Sequence, residues 1–391
     1  MTRIAIVSAA RTPIGKYGGA LSSQTAVQLG TVSAKAALYR ARVSPEEINE
    51  VIFGNVLQAG QGQNPARQIA IGTNVPYHTG AMTINKVCGS GMKAVMLAEL
   101  ELRAGDKDII LAGGIESMSN APYYLKGARF GYRMGNGDLI DGMIHDGLWD
   151  VYEDFHMGNT GEIVAEKHGL TREDIDLFSV RSNELAVKAT ETGAFKEEIV
   201  PVEVKLKRDM VSIDKDEGPR PGTTMESLAK LKPVFRKDGI VTAGNASQLS
   251  DGASALVLMK EELAKERGIP VLATIADHLS HGVEPKYIME APIPGCKMLL
   301  ERNNLAVADI DLWEHNEAFA SASVALQREL GIDDGKFNVN GGAVALGHPI
   351  GCTGARIITT LIYSMKARGD RRGVATLCIG GGNSTSILVE M

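Results

Sequence analysis

The sequence predicts an α/β protein in which two similar α/β units flank a large insertion. Runs of β-branched and apolar residues alternate with segments whose apolar residues recur every three or four positions, the order typical of α/β folds. Two pairs of segments also resemble each other, EINEVIFGN with ADIDLWEHN and KDIILAGG with GVATLCIGG. Such internal similarity favours two copies of one unit.

The first unit is expected at residues 1–117, and the chain is expected to return to it at 250–270. Its strands follow from β-branched runs with a period of two, and its helices from apolar residues at helical spacing. The predicted strands are 2–10, 48–57, 82–87 and 107–114, and the predicted helices are 25–41, 65–75 and 92–105.

The second unit, residues 271–391, repeats this order of elements. The stretch 339–351 is glycine-rich and reads as a strand or a loop. The other predicted elements are strands at 271–280, 308–320 and 372–382, and helices at 295–305, 320–330 and 352–369.

The insertion, residues 118–249, differs in composition and periodicity from the units around it. It opens with a stretch rich in glycine, tyrosine and methionine, followed by a helical stretch at 160–195. An alternating, exposed strand is predicted at 196–207, and a charged, proline-containing surface loop at 208–224. Because long loops in compact proteins are commonly functional, we expect the insertion to cover a site and to contact partner subunits.

Composition limits the classes of function. The 391 residues carry a net charge of −6, so a broad surface for nucleic acid or for an anionic membrane is not expected. The four cysteines show no C-x-x-C spacing, so neither a metal site nor a disulfide framework is predicted. We find no targeting pattern at the N-terminus and no long apolar run. A soluble, cytoplasmic protein is therefore expected.

Cys88 stands at a predicted corner between a strand and a helix, in the stretch NKVCGSGMKAV. Backbone N–H groups and the helix dipole at such a corner favour an anion, so we expect the pKa of this thiol to be lowered. The alternative is a buried structural cysteine, since free cysteines are among the most buried residues.

Two further segments carry chemically active side chains. Asn316 and Glu317 follow an apolar strand at its carboxyl end, where ligands bind in α/β sheets, although Asn316 could instead cap the next helix. His348 is held between Gly347 and Pro349, and a histidine in such a loop is a good general base.

Cys378 ends a β-run immediately before a row of glycines whose backbone N–H groups can bind an oxyanion. By itself it would read as a residue of the core. Together with Cys88 and His348 at comparable strand ends, it suggests a division of labour. One thiolate could accept an acyl group, the other could move a proton, and the histidine could activate either.

The motifs NKVCGSG, GNASQLSDGAS, NEAF, GGAVALGHPIGCTGAR and CIGGG together resemble the thiolase family. The resemblance covers nearly the whole chain in order, including the insertion. It implies duplicated α/β units stacked in an αβαβα arrangement, with the insertion as a loop domain that binds coenzyme A. It also implies acetyl-CoA, acetoacetyl-CoA and coenzyme A as ligands, with no further cofactor and no metal.

The resemblance also implies a role for each active residue. Cys88 would accept an acetyl group, and His348 would take the thiol proton and then polarise the incoming thioester. Asn316 would hold a water at that first oxyanion site, and the N–H groups of Cys88 and Gly380 would form a second. Cys378 would remove a proton from a second acetyl-CoA, giving acetoacetyl-CoA and CoA in a reversible Claisen condensation.

Coenzyme A and partner subunits are assigned by the same resemblance. The subunits would pair through the core units, and the pairs would join through the insertion near 120–140 into a homotetramer. The implied coenzyme A contacts are His156, Met157, Arg220, Ser227, Ala243 and Ser247.

Two departures from the family pattern leave alternatives open. Ser384 replaces the final glycine of Gly-Gly-Gly-x-Gly, and Glu290-Ala291 stand where the family usually has glycines after a methionine. A thiolase that degrades longer 3-ketoacyl-CoA esters would share every catalytic residue, and a silent protein that binds CoA esters is also possible. Two other enzyme classes are disfavoured. A ketoacyl synthase would have a second histidine where this sequence has Asn316 or Cys378, and a nucleotide-binding oxidoreductase would have G-x-G-x-x-G after a strand, which this sequence lacks.

Overall fold

In the computed structural model, which describes residues 2–206 and 208–391, strands and helices alternate in both halves of the chain. Before the insertion lie β1 (Ile4–Arg11), β2 (Gly15–Lys16), α1 (Ala26–Ala41), β3 (Glu50–Gly54), α2 (Pro65–Gly72), β4 (Gly80–Ile84), α3 (Ser90–Ala104) and β5 (Ile109–Ser117). The insertion contains β6 (Tyr123–Leu125), β7 (Leu139–Asp141), β8 (Trp149–Asp150), β9 (Phe155–His156), α4 (Gly158–Lys167), α5 (Arg172–Thr192), β10 (Val202–Leu206), β11 (Asp209–Ile213) and α6 (Met225–Ala229). After it come β12 (Ser250–Lys260), α7 (Glu261–Glu266), β13 (Ala273–Gly282), α8 (Pro292–Arg302), β14 (Leu312–His315), α9 (Ala320–Leu330), α10 (Ala343–Leu346), α11 (Ile350–Arg368), β15 (Arg372–Ile379) and β16 (Asn383–Glu390).

The strand pairing shows the duplication directly. In the first unit β3 is parallel to β5, and β12 lies antiparallel between β5 and β1. In the second unit β14 is parallel to β15, and β16 lies antiparallel between β15 and β13. The two units meet where β1 and β13 pair antiparallel, at Ile4–Ile6 and Ala273–Ile275. The predicted repeat of one α/β unit is therefore confirmed.

The apolar cores define a stack of five layers. Leu29 of α1 and Ile69 of α2 pack on the outer face of the first unit's strands. Helices α3 and α11 form the central layer, in contact with residues of both units such as Leu256 and Leu377. The other outer core contains Leu299 of α8, together with residues of α9. This is the layered α/β arrangement that the sequence predicts.

The structure corrects several predicted elements. The expected loop at 208–224 contains strand β11, which pairs with β10, and Val202, Val204, Val211 and Ile213 of this hairpin pack on the outer core of the first unit. The alternation predicted at 196–207 is present in β10, where Glu203 and Lys205 are exposed, but the face that carries Val202 and Val204 is buried. The stretch 339–351, predicted as a strand or a loop, contains the short helix α10. Strand β16 was not predicted from the sequence. Met1 and Lys207, each at the end of a predicted segment, lie outside the described residues.

The helical stretch predicted at 160–195 is two helices. Helix α4 ends at Lys167, and α5 begins after Thr171, whose side chain accepts a hydrogen bond from the N–H of Asp174. This capping box starts a new helix and explains the break. Among the described residues, no helix combines the length and the apolar content that crossing a membrane requires.

A buried ion network fastens the insertion to the first unit. The Arg11 guanidinium, at the end of β1, makes two hydrogen bonds to the Asp216 carboxylate, at 2.7 and 2.9 Å. Its Nε donates to Glu198 at 2.5 Å, and Asp216 also accepts the N–H of Ile14 at 2.7 Å. All of these side chains are buried. The network therefore fixes to β1 the two segments of the insertion that flank the hairpin of β10 and β11.

Asp216→Ala is expected to lower the free energy of unfolding by about 3–5 kcal/mol, because it leaves the buried Arg11 charge without its bidentate partner. The measurement is urea-induced unfolding at a fixed protein concentration. Glu197→Ala is the matched control, since it removes an exposed pair with Lys366 and should cost less than about 1 kcal/mol. Equal losses in the two variants would show that the buried network does not anchor the insertion.

Candidate active site

The first turns of α3 and α11 touch backbone to backbone in the central layer. A Cβ added at Gly91 would lie 2.8 Å from the backbone nitrogen of Ala355, and one at Gly354 would lie 2.3 Å from the nitrogen of Met92. Only glycine permits this approach. As a result, the corner that carries Cys88, just before α3, lies beside the loop that carries His348, just before α11.

A buried carboxylate holds the start of α11 against the end of β5. Glu116 accepts hydrogen bonds from the N–H groups of Gly351, Val56 and Leu57, at 2.8, 3.2 and 3.1 Å. Burial raises its pKa to about 7, although these N–H groups oppose the shift. Sequence reasoning missed Glu116, because its partners are distant along the chain.

One cavity of about 580 Å³ brings together four of the five predicted active residues, whereas Asn316 does not line it. Cys88, His348, Cys378 and Gly380 all line it. Asn316 follows β14, the parallel neighbour of β15, and its side-chain nitrogen lies 3.4 Å from Nε2 of His348. Because parallel strands end at the same edge of a sheet, the residues after β14 and those ending β15 converge.

The corner at Cys88 is held in an uncommon conformation. Val87 has a φ of 45°, which is costly for a β-branched residue. The side chain of Ser90 stabilises the turn, because its hydroxyl donates to the carbonyl of Val87 at 2.6 Å and accepts the N–H of Lys86 at 2.8 Å. This local strain presents the Cys88 sulfur to the cavity.

Cys88 is half-buried, and its thiol is neutral. Burial raises its pKa to about 11, while the backbone N–H groups of Gly380 and of Cys88 itself, which hydrogen-bond the sulfur, lower it less. The predicted lowering of this pKa is therefore wrong, because the loss of water outweighs the donors at the corner.

His348 is also neutral. Burial lowers its pKa to about 3, and the positive charge of Arg356 acts in the same direction. Its Nδ1 lies 2.6 Å from the hydroxyl oxygen of Thr353, and its backbone N–H donates to the carbonyl of Gln248 at 2.9 Å. Asn316 contacts this ring rather than capping the next helix, which begins only at Ala320.

Cys378 is buried at the end of β15, and burial strongly raises the pKa of its thiol, as does the neighbouring sulfur of Cys88. Its sulfur lies 3.6 Å from the thioether sulfur of Met289. Ile288 and Phe319 also line the cavity. An acyl group near the two thiols would therefore meet an apolar wall.

The residues assigned to coenzyme A follow the cavity outward. His156, Met157, Arg220, Ala243 and Ser247 line it. Ser227 does not, but it lines a neighbouring pocket of about 200 Å³ that also contacts Arg220 and Ala243.

Sequence reasoning missed other lining residues of this channel. Phe235 stacks on His156 with ring centroids 4.8 Å apart, and Lys16 lies on the opposite wall. Phe235 belongs to the stretch VFRKDG, but no local pattern there indicates a stacked aromatic ring.

The two departures from the family pattern lie outside the reacting centre. Glu290 forms ion pairs with Lys167 and His168, at 2.6 and 3.2 Å. The Ser384 hydroxyl donates to the carbonyl of Ala291 at 2.9 Å, so the two altered segments contact each other. Neither Glu290 nor Ser384 lines the cavity. Their side chains therefore add no group to the cavity, although Ser384 pairs with Cys378 between β15 and β16.

An apolar cavity with two thiols, a neutral imidazole and converging backbone N–H groups defines an acyl-transfer site. Sulfur can carry the acyl group, the second thiol and the imidazole can move protons, and the N–H groups can stabilise negative charge on oxygen. Residues 4–262 match the family described as thiolase, N-terminal domain, and residues 269–391 match thiolase, C-terminal domain. The chain belongs to the thiolase family.

Individual relatives are similar over the full length. The acetyl-CoA acetyltransferase of Cupriavidus necator is 52% identical over 391 residues, covering 100% of both chains. A probable acetyl-CoA acyltransferase of Staphylococcus epidermidis is 47% identical over 100% of this chain and 99% of its own. The crystal structure of the Bacillus anthracis acetyl-CoA acetyltransferase matches with a TM-score of 0.97 and 44% identity, covering 100% of this chain and 99% of that one.

The alkylation of Cys88 should report its protonation directly. Since the raised pKa leaves the thiol neutral, the rate with iodoacetamide is expected to rise about tenfold per pH unit from pH 6 to pH 9, without levelling off. Peptide mass analysis locates the label, and Cys88→Ala provides the blank. A rate that reaches a plateau near neutral pH would instead show a stabilised thiolate and would contradict the assignment of a neutral pair.

Proposed function

We propose that the protein catalyses the reversible Claisen condensation of two acetyl-CoA molecules to acetoacetyl-CoA and CoA. The observation that carries this proposal is the convergence of Cys88, His348 and Cys378 on one cavity, with the N–H of Gly380 directed at the Cys88 sulfur. Binding alone would need neither thiol. The names of the full-length relatives support acetyl-CoA as the substrate.

The first half-reaction transfers an acetyl group to Cys88. The thiol proton moves to Nε2 of His348 as the sulfur attacks the thioester carbon. The C–S bond to CoA then breaks, and the departing CoA thiolate takes the proton from His348. The His348 N–H and a water held by Asn316 stabilise the oxyanion of this step, and a preorganised donor of this kind contributes about 10²–10³ in rate.

The second half-reaction forms the carbon–carbon bond. The thiol of Cys378 first passes its proton to neutral His348, and the resulting thiolate removes a proton from the methyl group of a second acetyl-CoA. The enolate attacks the carbonyl carbon of acetyl-Cys88, and the N–H groups of Cys88 and Gly380 stabilise the oxyanion. The Cys88 sulfur then leaves and takes its proton from His348, so that Cys88, Cys378 and His348 all return to their starting states. Burial raises the pKa of Cys378, which makes its thiolate a strong base for a weakly acidic carbon.

A rapid-mixing experiment tests both half-reactions. Acetyl-CoA is added, the reaction is quenched with acid, and peptide masses are measured. We expect one acetyl group on the peptide that carries Cys88, which added CoA removes, and no such label in Cys88→Ala. Cys378→Ala should still be acetylated but should lose about 10³-fold in condensation, because only its general base is missing.

Cys296→Ala is the matched control, since this thiol is buried and does not line the cavity, and the variant should retain both half-reactions. Binding of acetyl-CoA without acetylation of Cys88 would contradict the proposal and would indicate a silent binding protein. Acetylation of Cys88 without formation of acetoacetyl-CoA would support the first half-reaction and contradict the proposed condensation.

Met289 favours short acyl groups over the longer chains of a degradative thiolase. This side chain is buried, lines the cavity and contacts the sulfur of Cys378 at 3.6 Å, so it occupies space that an acyl tail would need. Glu290 fastens the same segment to α4 through Lys167, which limits its movement.

Met289→Ala is expected to raise the ratio of kcat/KM for 3-ketohexanoyl-CoA to kcat/KM for acetoacetyl-CoA by about tenfold. The shorter side chain makes room for the additional methylenes of the longer acyl chain, and one methylene in an apolar pocket typically changes kcat/KM by about this factor. Thiolytic cleavage of both esters is followed spectrophotometrically. Met298→Ala is the control, because this methionine is exposed on α8 and should leave the ratio unchanged. An unchanged ratio in Met289→Ala would show that another wall limits the chain length.

We also propose a homotetramer in the cytoplasm that needs no cofactor beyond CoA thioesters. The segment 123–139 of the insertion exposes several large apolar side chains, among them Phe130 at 90% and Met134 at 96% exposure, which suits a contact between subunit pairs. Strand β4 ends one side of the large sheet and offers an edge for pairing within the core. The cysteines are free, which suits a reducing compartment.

A further inference from the structure

The ring of His348 is held on both sides by polar side chains. Its Nδ1 lies 2.6 Å from Oγ1 of Thr353, and its Nε2 lies 3.4 Å from the amide nitrogen of Asn316. Thr353 is fully buried in the first turn of α11, five residues beyond the histidine. The helix therefore fixes the position of the hydroxyl relative to the ring.

The hydrogen atoms of this group can be assigned by counting donors. The Thr353 hydroxyl has one hydrogen, which it donates to the carbonyl of Pro349 at 3.0 Å. Its oxygen is then an acceptor for a hydrogen on Nδ1 of His348. With Nδ1 protonated, the neutral ring carries its lone pair on Nε2, where the Asn316 amide donates. In this arrangement the ring, the Thr353 hydroxyl and the amide nitrogen of Asn316 each have a partner, while Oδ1 of Asn316 has none.

We propose that Thr353 is a positioning residue that fixes His348 in the tautomer with a hydrogen on Nδ1. Only this tautomer leaves Nε2 unprotonated and able to accept the proton of Cys88 when the contact with Asn316 yields, so the inference rests on the proposed function. A base oriented by a third group is the general arrangement of activated nucleophiles. Here the third group is a neutral hydroxyl instead of a carboxylate.

The neutral partner has a chemical consequence. A carboxylate beside Nδ1 would stabilise the imidazolium and raise the pKa of the histidine. A hydroxyl orients the ring without adding charge, and this agrees with the burial of His348 and the lowered pKa of its ring. The imidazolium is therefore a short-lived species that returns its proton to the departing CoA thiolate.

Two substitutions separate the hydroxyl from the shape of the side chain. Thr353→Val keeps the volume and removes the hydrogen bond, while Thr353→Ser keeps the hydroxyl. We expect Thr353→Val to slow the acetylation of Cys88 by about 10- to 100-fold, as loss of an orienting partner typically does. KM for acetyl-CoA should change by less than about twofold, because no contact with the substrate is lost. Thr353→Ser should restore the rate.

NMR of the ¹⁵N-histidine-labelled enzyme reads the tautomer independently of activity. The signals of His348 are assigned by their absence in His348→Gln. We expect a protonated Nδ1 in the wild type and in Thr353→Ser, and a mixture of tautomers in Thr353→Val. A protonated Nε2 in the wild type would overturn the proposal, and so would an unchanged tautomer and rate in Thr353→Val.

Circular dichroism checks that the variants are folded. If Thr353→Val does not fold, Thr353→Ala is used in its place. If wild-type Cys88 is never acetylated, the proposed function fails, whereas the NMR experiment still decides whether Thr353 fixes the tautomer. The two failures are therefore distinguishable.

Discussion

The contact between the first turns of α3 and α11 is the constraint on which the rest of the structure depends. Gly91 and Gly354 allow the two backbones to meet inside the central layer, where any larger residue would separate them. Cys88 and His348 immediately precede these helices, so the glycine contact sets how close they lie. The two helix N-termini also bring positive dipole ends to the same place, which suits the negative charge that develops on oxygen.

Exclusion of water gives the site its electrostatic character. Burial raises the pKa of Cys88 and lowers that of His348, so both side chains are neutral until a thioester arrives. In the proposed mechanism the nucleophile is produced only when its proton can move, and fixed N–H groups would replace water around the oxyanion. The same dry cavity would protect an acetyl–cysteine intermediate from hydrolysis.

The duplicated units and the insertion divide the work. The units supply the thiols, the imidazole and the N–H groups, each at the end of a strand or the start of a helix. The insertion supplies much of the outer channel, including Arg220 and Phe235, and the network of Arg11, Glu198 and Asp216 fastens it to the first unit. Chemistry and ligand binding are thus held by separate parts of one rigid framework.

The sequence by itself determined the duplicated α/β fold and the identity of the two thiols and the imidazole at the site. Hydrophobic periodicity is local, and Cys88, His348 and Cys378 stand beside turn residues that mark the ends of elements. Only the tertiary structure decided the sign of the pKa shift of Cys88, since burial depends on neighbours distant in the chain. It alone also placed Met289 against Cys378 and paired β10 with β11, because the partners in these contacts are chosen by packing.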